Sequence, residues 1–225
     1  MSQQRIAILS RIRASLGARG IIPEEHAVEA RLTARARNLI PARGQLAGGA
    51  LVTQFMQFAV KTQASIATVS SAQDVPGAIG GYLTAGGLSG PVRLSGDGWL
   101  AAMPWDAIAH FNPCTGAVLE TDGAGVSVAL CGIAETATLM LTSGADAASG
   151  LNFLPPTHII VLRAMDIVGA LEDGWGRLRQ AGNGQMPRTV NLITGPSRTA
   201  DIAQTMYMGA HGPKRLHVIV VEGDA

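Results

Sequence analysis

Apolar residues at Ile6, Leu9, Ile12 and Leu16 recur three or four positions apart and stop at Gly17. That spacing predicts an amphipathic helix over residues 5 to 16. Residues 24 to 40, EEHAVEARLTARARNLI, open with acids and end with arginines, the order that suits a helix macrodipole. A third helical stretch, ALVTQFMQFAVKT, covers residues 50 to 62. From residue 64 the rhythm changes to short runs that predict strands: ASIATVS (64–70), PVRLS (91–95), GVSVAL (125–130), TLMLT (138–142), HIIVL (158–162), VNLIT (190–194) and LHVIVV (216–221). Helical stretches fall between several of them, at 72–84, 101–109, 166–180 and 199–208. The pattern therefore divides into an N-terminal helical annex, residues 1–63, and an α/β domain, residues 64–225. Unbroken β-branched runs alternating with helices predict a largely parallel sheet covered by helices on both faces. The annex serves either as packing cover or as a dimer surface.

Composition narrows the function. Apolar residues make up 47% of the 225 positions and charged residues 15%, so a large core is expected. A formal charge of +1 and 4% aromatic residues argue against a nucleic-acid binder, which needs a basic stripe or stacking platform. No apolar run is long enough to span a membrane, and Arg5, Arg11 and Arg13 interrupt any secretory signal, so the expected location is cytoplasmic. Cys114 and Cys131 form no C-x-x-C pair and cannot alone supply a four-thiolate iron-sulfur site.

The polar residues cluster near the C-terminus. In TGPSRTADI, a strand runs into Gly195, Pro196 and Ser197, and a helix is expected from Arg198 or Thr199. The free N–H groups of such a helix, the Ser197 and Thr199 hydroxyls and the Arg198 guanidinium would together receive an anion. Ser197 or Thr199 as a plain cap, with Asp201 in the first turn, is the structural alternative. A second turn, GAHGPKRL, places His211 between glycines and sets Gly212 and Lys214 beside it. His211 is a proton-handling candidate or a turn-shaping hydrogen-bond donor. His217, inside an apolar strand, reads as a packed histidine, and it makes no metal pair with His211 for want of carboxylate or cysteine neighbours. No metal site is expected.

Glu135 stands among apolar residues in IAETATLML and is either a general acid or base or a helix cap; Thr136 and Thr138 contact a ligand or satisfy strand ends. His158 follows Pro155, Pro156 and Thr157 at a strand start, the edge opposite to where parallel sheets usually hold ligands, so a structural role is favoured. Neither G-x-G-x-x-G after a strand, nor G-x-x-x-x-G-K-[ST], nor G-x-S-x-G is present.

The ordered set IAETATL, LPPTHIIVL, TGPSRTADI and GAHGPKRLHVIVVEGD resembles the LUD-domain family, lactate utilization protein C type, and RIAILSRIRASLG resembles its first helix. The resemblance implies a fold similar to the ribose-phosphate isomerase, glucosamine-phosphate deaminase and CoA-transferase group. It implies an accessory role in oxidising L-lactate to pyruvate beside iron-sulfur partner proteins, with no cofactor bound by this chain alone. Gly195, Ser197, Arg198, Thr199, Asp201, Thr136, Gly212 and Lys214 would bind a small anionic ligand, and Glu135 or His211 would handle protons. A free-standing isomerase or acyl-CoA-transferase-like enzyme using Glu135 is the alternative. The family usually has Gly where this chain has Ala137, and an acid where it has Ala203.

Overall fold

The computed structural model describes residues 3–18, 25–202, 205–209 and 211–223. Ala203 lies outside them. The chain divides into two units, one up to Leu39 and one from Ile40 onward. The first holds two helices, α1 (Gln3–Ala18) and α2 (Glu25–Ala34). Ile6, Leu9, Ile12 and Leu16 of α1 are exposed.

The second unit begins with α3 (Gly49–Lys61), then β1 (Ser65–Val69), α4 (Val75–Ala85), β2 (Val92–Leu94) and α5 (Gly98–Ala101). The strands β3 (Ala124–Val128), β4 (Cys131–Ile133), β5 (Thr138–Thr142), β6 (Thr157–Arg163) and β7 (Ile167–Val168) follow. Last come α6 (Leu171–Ala181), β8 (Val190–Ile193), β9 (Arg198–Ile202), β10 (Thr205–Met208) and β11 (Arg215–Val221).

The main sheet is parallel throughout, in the order β1-β11-β6-β3-β2. Its central strands bury both faces, which is why their sequences read as continuous apolar runs. Ile159 and Val161 of β6 and Ile219 of β11 point to one side, where they meet Val75, Ile79 and Leu83, spaced four apart on α4. Ile160, Leu162, Val218 and Val220 point to the other side. That second face is covered by α3, through Phe55 and Ala59, together with a second sheet rather than by helices alone. The second sheet, in the order β7-β4-β5-β8, is mixed: β5 runs antiparallel to both β4 and β8. Helix α6 closes its outer side, packing Leu178 against Cys131, Ile133 and Met140. Helix α3, grouped with the annex by the sequence pattern, thus lies within the α/β core.

The expected helix at 199–208 is absent. Residues 198–202 and 205–208 instead pair as an antiparallel hairpin, with Thr199 opposite Tyr207 and Arg198 opposite Met208.

Candidate functional site

A cavity of about 490 Å³ opens at the carboxyl ends of β2, β3 and β6. Its polar wall comes from residues that directly follow or end those strands: Ser95 after β2, Ser127 near the end of β3, and Arg163 at the end of β6. This is the edge where parallel sheets place ligands, because loops from neighbouring strands diverge there and leave a crevice. The mixed sheet and α6 supply the opposite wall through Leu141, Thr142, Arg177 and Gln180.

Local geometry fixes the charged groups. The Asp97 carboxylate accepts from Trp99 N at 2.9 Å and Leu100 N at 3.1 Å, capping the single turn of α5. That turn holds the Trp99 ring under the Arg163 guanidinium, 4.2 Å from the ring centroid. Across the cleft, Arg177 forms an ion pair with Asp166 and donates to Met165 O at 3.3 Å. Ser95 is buried, and its Oγ has no hydrogen-bond partner among the described residues. Two guanidinium groups, a buried hydroxyl and two carboxylates thus line one crevice. They can hold a carboxylate or phosphate at the arginines and a donor group at the acids.

The residues singled out from the sequence lie elsewhere. Gly195, Pro196 and Ser197 meet His211, Gly212 and Pro213 around a smaller cavity of about 220 Å³. The reason is topological: β8, which feeds the first turn, belongs to the mixed sheet, so its end arrives at the amino ends of β6 and β11. His158 and Leu216, which begin those strands, complete the wall. His158 and the glycine turns, assigned to opposite edges by the sequence pattern, are therefore neighbours. Gly195 has φ of +74°, and a Cβ there would stand 2.3 Å from Thr62 O, so only glycine closes this turn. Ser197 N donates to Pro213 O at 2.9 Å and Gly209 N to Ser197 O at 2.8 Å, tying the two turns together.

The described residues that follow Ser197 form a strand, so the helix N-terminus expected at this turn is not there. Arg198 is exposed, with Nη2 3.4 Å from Thr62 O, and lies outside the cavity wall. Lys214 is exposed and also outside it. Thr199 and Asp201 are on β9, the first strand of the hairpin. Thr136 reaches the cavity only through a hydroxyl chain: Thr136 Oγ1 to Thr138 Oγ1 at 2.8 Å, then to the lining residue Thr194 at 2.7 Å. Glu135 lines neither cavity. It is buried, and its Oε1 accepts from Leu171 N at 3.2 Å, capping the start of α6. Among the described residues no three His, Cys, Asp or Glu side chains converge as metal ligands.

The sequence reading missed Ser95, Ser127, Arg163 and Arg177. A signal existed for two of them: Ser95 and Arg163 each stand at the carboxyl end of an apolar run.

Residues 117–221 match the family model of the LUD domain. This segment is similar to the LUD domain. It contributes every wall residue of the large cleft except Ser95, Asp97 and Trp99. An uncharacterized protein of Neisseria meningitidis serogroup B is 40% identical over 101 residues, covering 45% of this chain and 43% of its own. Lactate utilization protein C of Bacillus subtilis is 32% identical over 104 residues, covering 45% and 43% respectively. The chain spans about half the length of the curated relatives it matches. A crystal structure of a DUF162 family protein from Deinococcus radiodurans superposes with a TM-score of 0.60 at 25% identity, covering 78% of this chain and 99% of that one. The matched segment thus sits in an α/β fold shared with a solved structure. No helix among the described residues is long and apolar enough to cross a membrane.

Proposed function

We propose that this chain is an accessory, ligand-binding subunit of a cytoplasmic system that oxidises L-lactate to pyruvate, working beside iron-sulfur partner proteins. The relatives named lactate utilization protein C support the lactate assignment. The observation that carries the binding role is the crevice at the strand ends, with Arg163 held on Trp99 and Arg177 facing it. Its ligand is anionic, a carboxylate or phosphate, and its volume of about 490 Å³ accommodates a molecule larger than lactate itself. The iron-sulfur clusters belong to the partners, since two separated cysteines cannot supply four thiolate ligands.

The rival reading, a free-standing isomerase or acyl-CoA-transferase-like enzyme, needs Glu135 at a substrate. Glu135 instead caps α6, away from both cavities.

The deciding experiment is reconstitution with the co-purifying iron-sulfur partner and an assay of lactate-dependent dye reduction. Omitting this chain is expected to abolish or sharply reduce turnover, and Arg163→Ala to reduce it by about tenfold or more. Full activity without the chain would refute the subunit role.

A further inference from the structure

Arg177, Gln180 and Ala181 stand three and four positions apart on α6, so they share one face of the helix. All three line the cleft at the strand ends. Ala181 also lines a hollow of about 300 Å³, and it does so together with Leu130 and Thr142, which belong to the wall of the cleft as well. Four residues of helix carry the chain about 6 Å along the axis from Arg177 to this shared boundary. The cleft thus continues, past Ala181, into a side arm at the C-terminal end of α6.

The two parts differ in chemistry. Arg163, Arg177, Asp97 and Asp166 give the cleft its charge. No charged residue lines the arm: Leu178, Met186 and Pro187 join the shared Leu130 and Ala181, and the polar side chains among its described residues are Thr142 and Gln185. Its backbone groups bond one another. Gly182 N donates to Leu178 O at 3.1 Å, Gly184 N to Arg179 O at 2.9 Å and Gln185 N to Gly182 O at 2.8 Å. Such a wall selects a ligand by apolar area rather than by hydrogen bonds. It holds no aromatic ring, so a nucleobase finds no stacking surface there. Met186 is exposed, and its unbranched thioether adapts to whatever it covers.

We propose that the cleft and its arm together bind an amphipathic acid, a carboxylate on an unbranched acyl chain of medium length. The carboxylate accepts from Arg163 and Arg177, and the chain passes Ala181 to lie on Leu130, Leu178 and Met186. Arg177 keeps its pairing with Asp166, because a guanidinium has five N–H donors and can serve a second carboxylate. The head of the ligand rests on the proposed reading of the cleft as an anion site; the preference for a chain rests on the arm alone. Asp97 and Asp166 share the wall with the two arginines, so a doubly charged phosphate meets more repulsion there than a carboxylate does. The proposed event is binding only, with no bond made or broken.

Calorimetric titration of the full-length chain with butyrate, hexanoate and decanoate tests this. Each methylene that enters the arm is expected to tighten binding about three- to fourfold, so decanoate should bind at least about tenfold more tightly than hexanoate. Decanol, which lacks the charge, and decyl phosphate, which doubles it, should both bind more weakly than decanoate. Ala181→Trp, at an exposed position, is expected to block the passage and remove the step between hexanoate and decanoate, with thermal unfolding unchanged. Arg163→Ala should weaken all the acids alike. Equal affinity for hexanoate and decanoate, decanoate binding untouched by Ala181→Trp, or tighter binding of decanol or decyl phosphate would each overturn the proposal. The titration contains no iron-sulfur partner. Decanoate binding by a chain that proves dispensable for dye reduction would leave this site standing and refute the subunit role, whereas an indispensable chain that binds no decanoate would do the reverse.

Discussion

Arg93 on β2 grips Asp122 with two parallel hydrogen bonds, Nε to Oδ2 and Nη2 to Oδ1, both 2.9 Å long. The same guanidinium donates to Thr115 O at 2.9 Å, and Asp122 Oδ2 also accepts from Leu119 N at 2.7 Å. The pair is buried and pins residues 115–122 against an edge strand of the parallel sheet. Its hydrogen bond to Arg93 holds the Asp122 carboxyl below its ordinary pKa. A depressed folded pKa means that the stabilisation is present above the unfolded value, about 4, and is lost as pH falls through the folded one. Asp122→Asn keeps the shape but strands the Arg93 charge, and is expected to cost about 3 kcal/mol in urea unfolding at pH 7. The gap between variant and wild type is expected to narrow below pH 4; a variant as stable as wild type at pH 7 would show that the clamp contributes nothing.

Two histidines make the fold sensitive to mild acid. Burial pushes His158 down to about 3 and His217 down to about 4. His217 is stacked on Tyr82, ring centroids 3.9 Å apart, with Nδ1 2.9 Å from Ser65 Oγ. The unfolded chain binds protons at these rings below about pH 6.5, whereas the native chain does not. Stability therefore falls as pH drops from about 6.5 toward 4, and the two rings together cost about 4 kcal/mol between pH 7 and pH 5. Denaturant midpoints measured at pH 7, 6 and 5 check this, and a flat profile would contradict it.

Ala137 has φ of +52°, in the left-handed region, and is buried. The turn between β4 and β5 imposes this backbone conformation, which glycine adopts without strain. Ala137→Gly relieves the backbone and gives up one buried methyl, for a net gain of about 0.5 kcal/mol. Ala137→Val, β-branched, is expected to lose about 2 kcal/mol or more. Paired melting curves settle the order; a valine variant that melts with wild type would remove the strain argument.

Both cysteines are free thiols, and they differ in reach. Burial pushes the Cys131 pKa up to about 11, so little thiolate forms near neutrality, while Cys114 is partly exposed. A thiol-colouring reagent should titrate one equivalent in the native protein and two after denaturation. Two rapid equivalents in the native state would mean that the β4 region opens readily.

The parallel sheet was legible because β1, β3, β6 and β11 each carry an apolar run that needs no partner to be recognised. Strand β4, three residues long, was too short to show a period, and β9 and β10 contain Ala, Met and Gln neighbours that suit a helix as well as a strand. Pairing across the hairpin decided between them, and pairing is invisible to local pattern. The turns around Ser197 and His211, which line one cavity, were legible as turns from the glycines they carry. The large cleft was not, because Trp99, Ser127, Arg163 and Arg177 come from four separate segments that only the sheet order assembles.

Asn152 stands in the wall of both cavities and holds the Ser127 hydroxyl between them. An occupant that drags this amide on one side must alter the welcome offered on the other. Thermodynamic reciprocity then requires the influence to be equal in both directions, whichever guest arrives first.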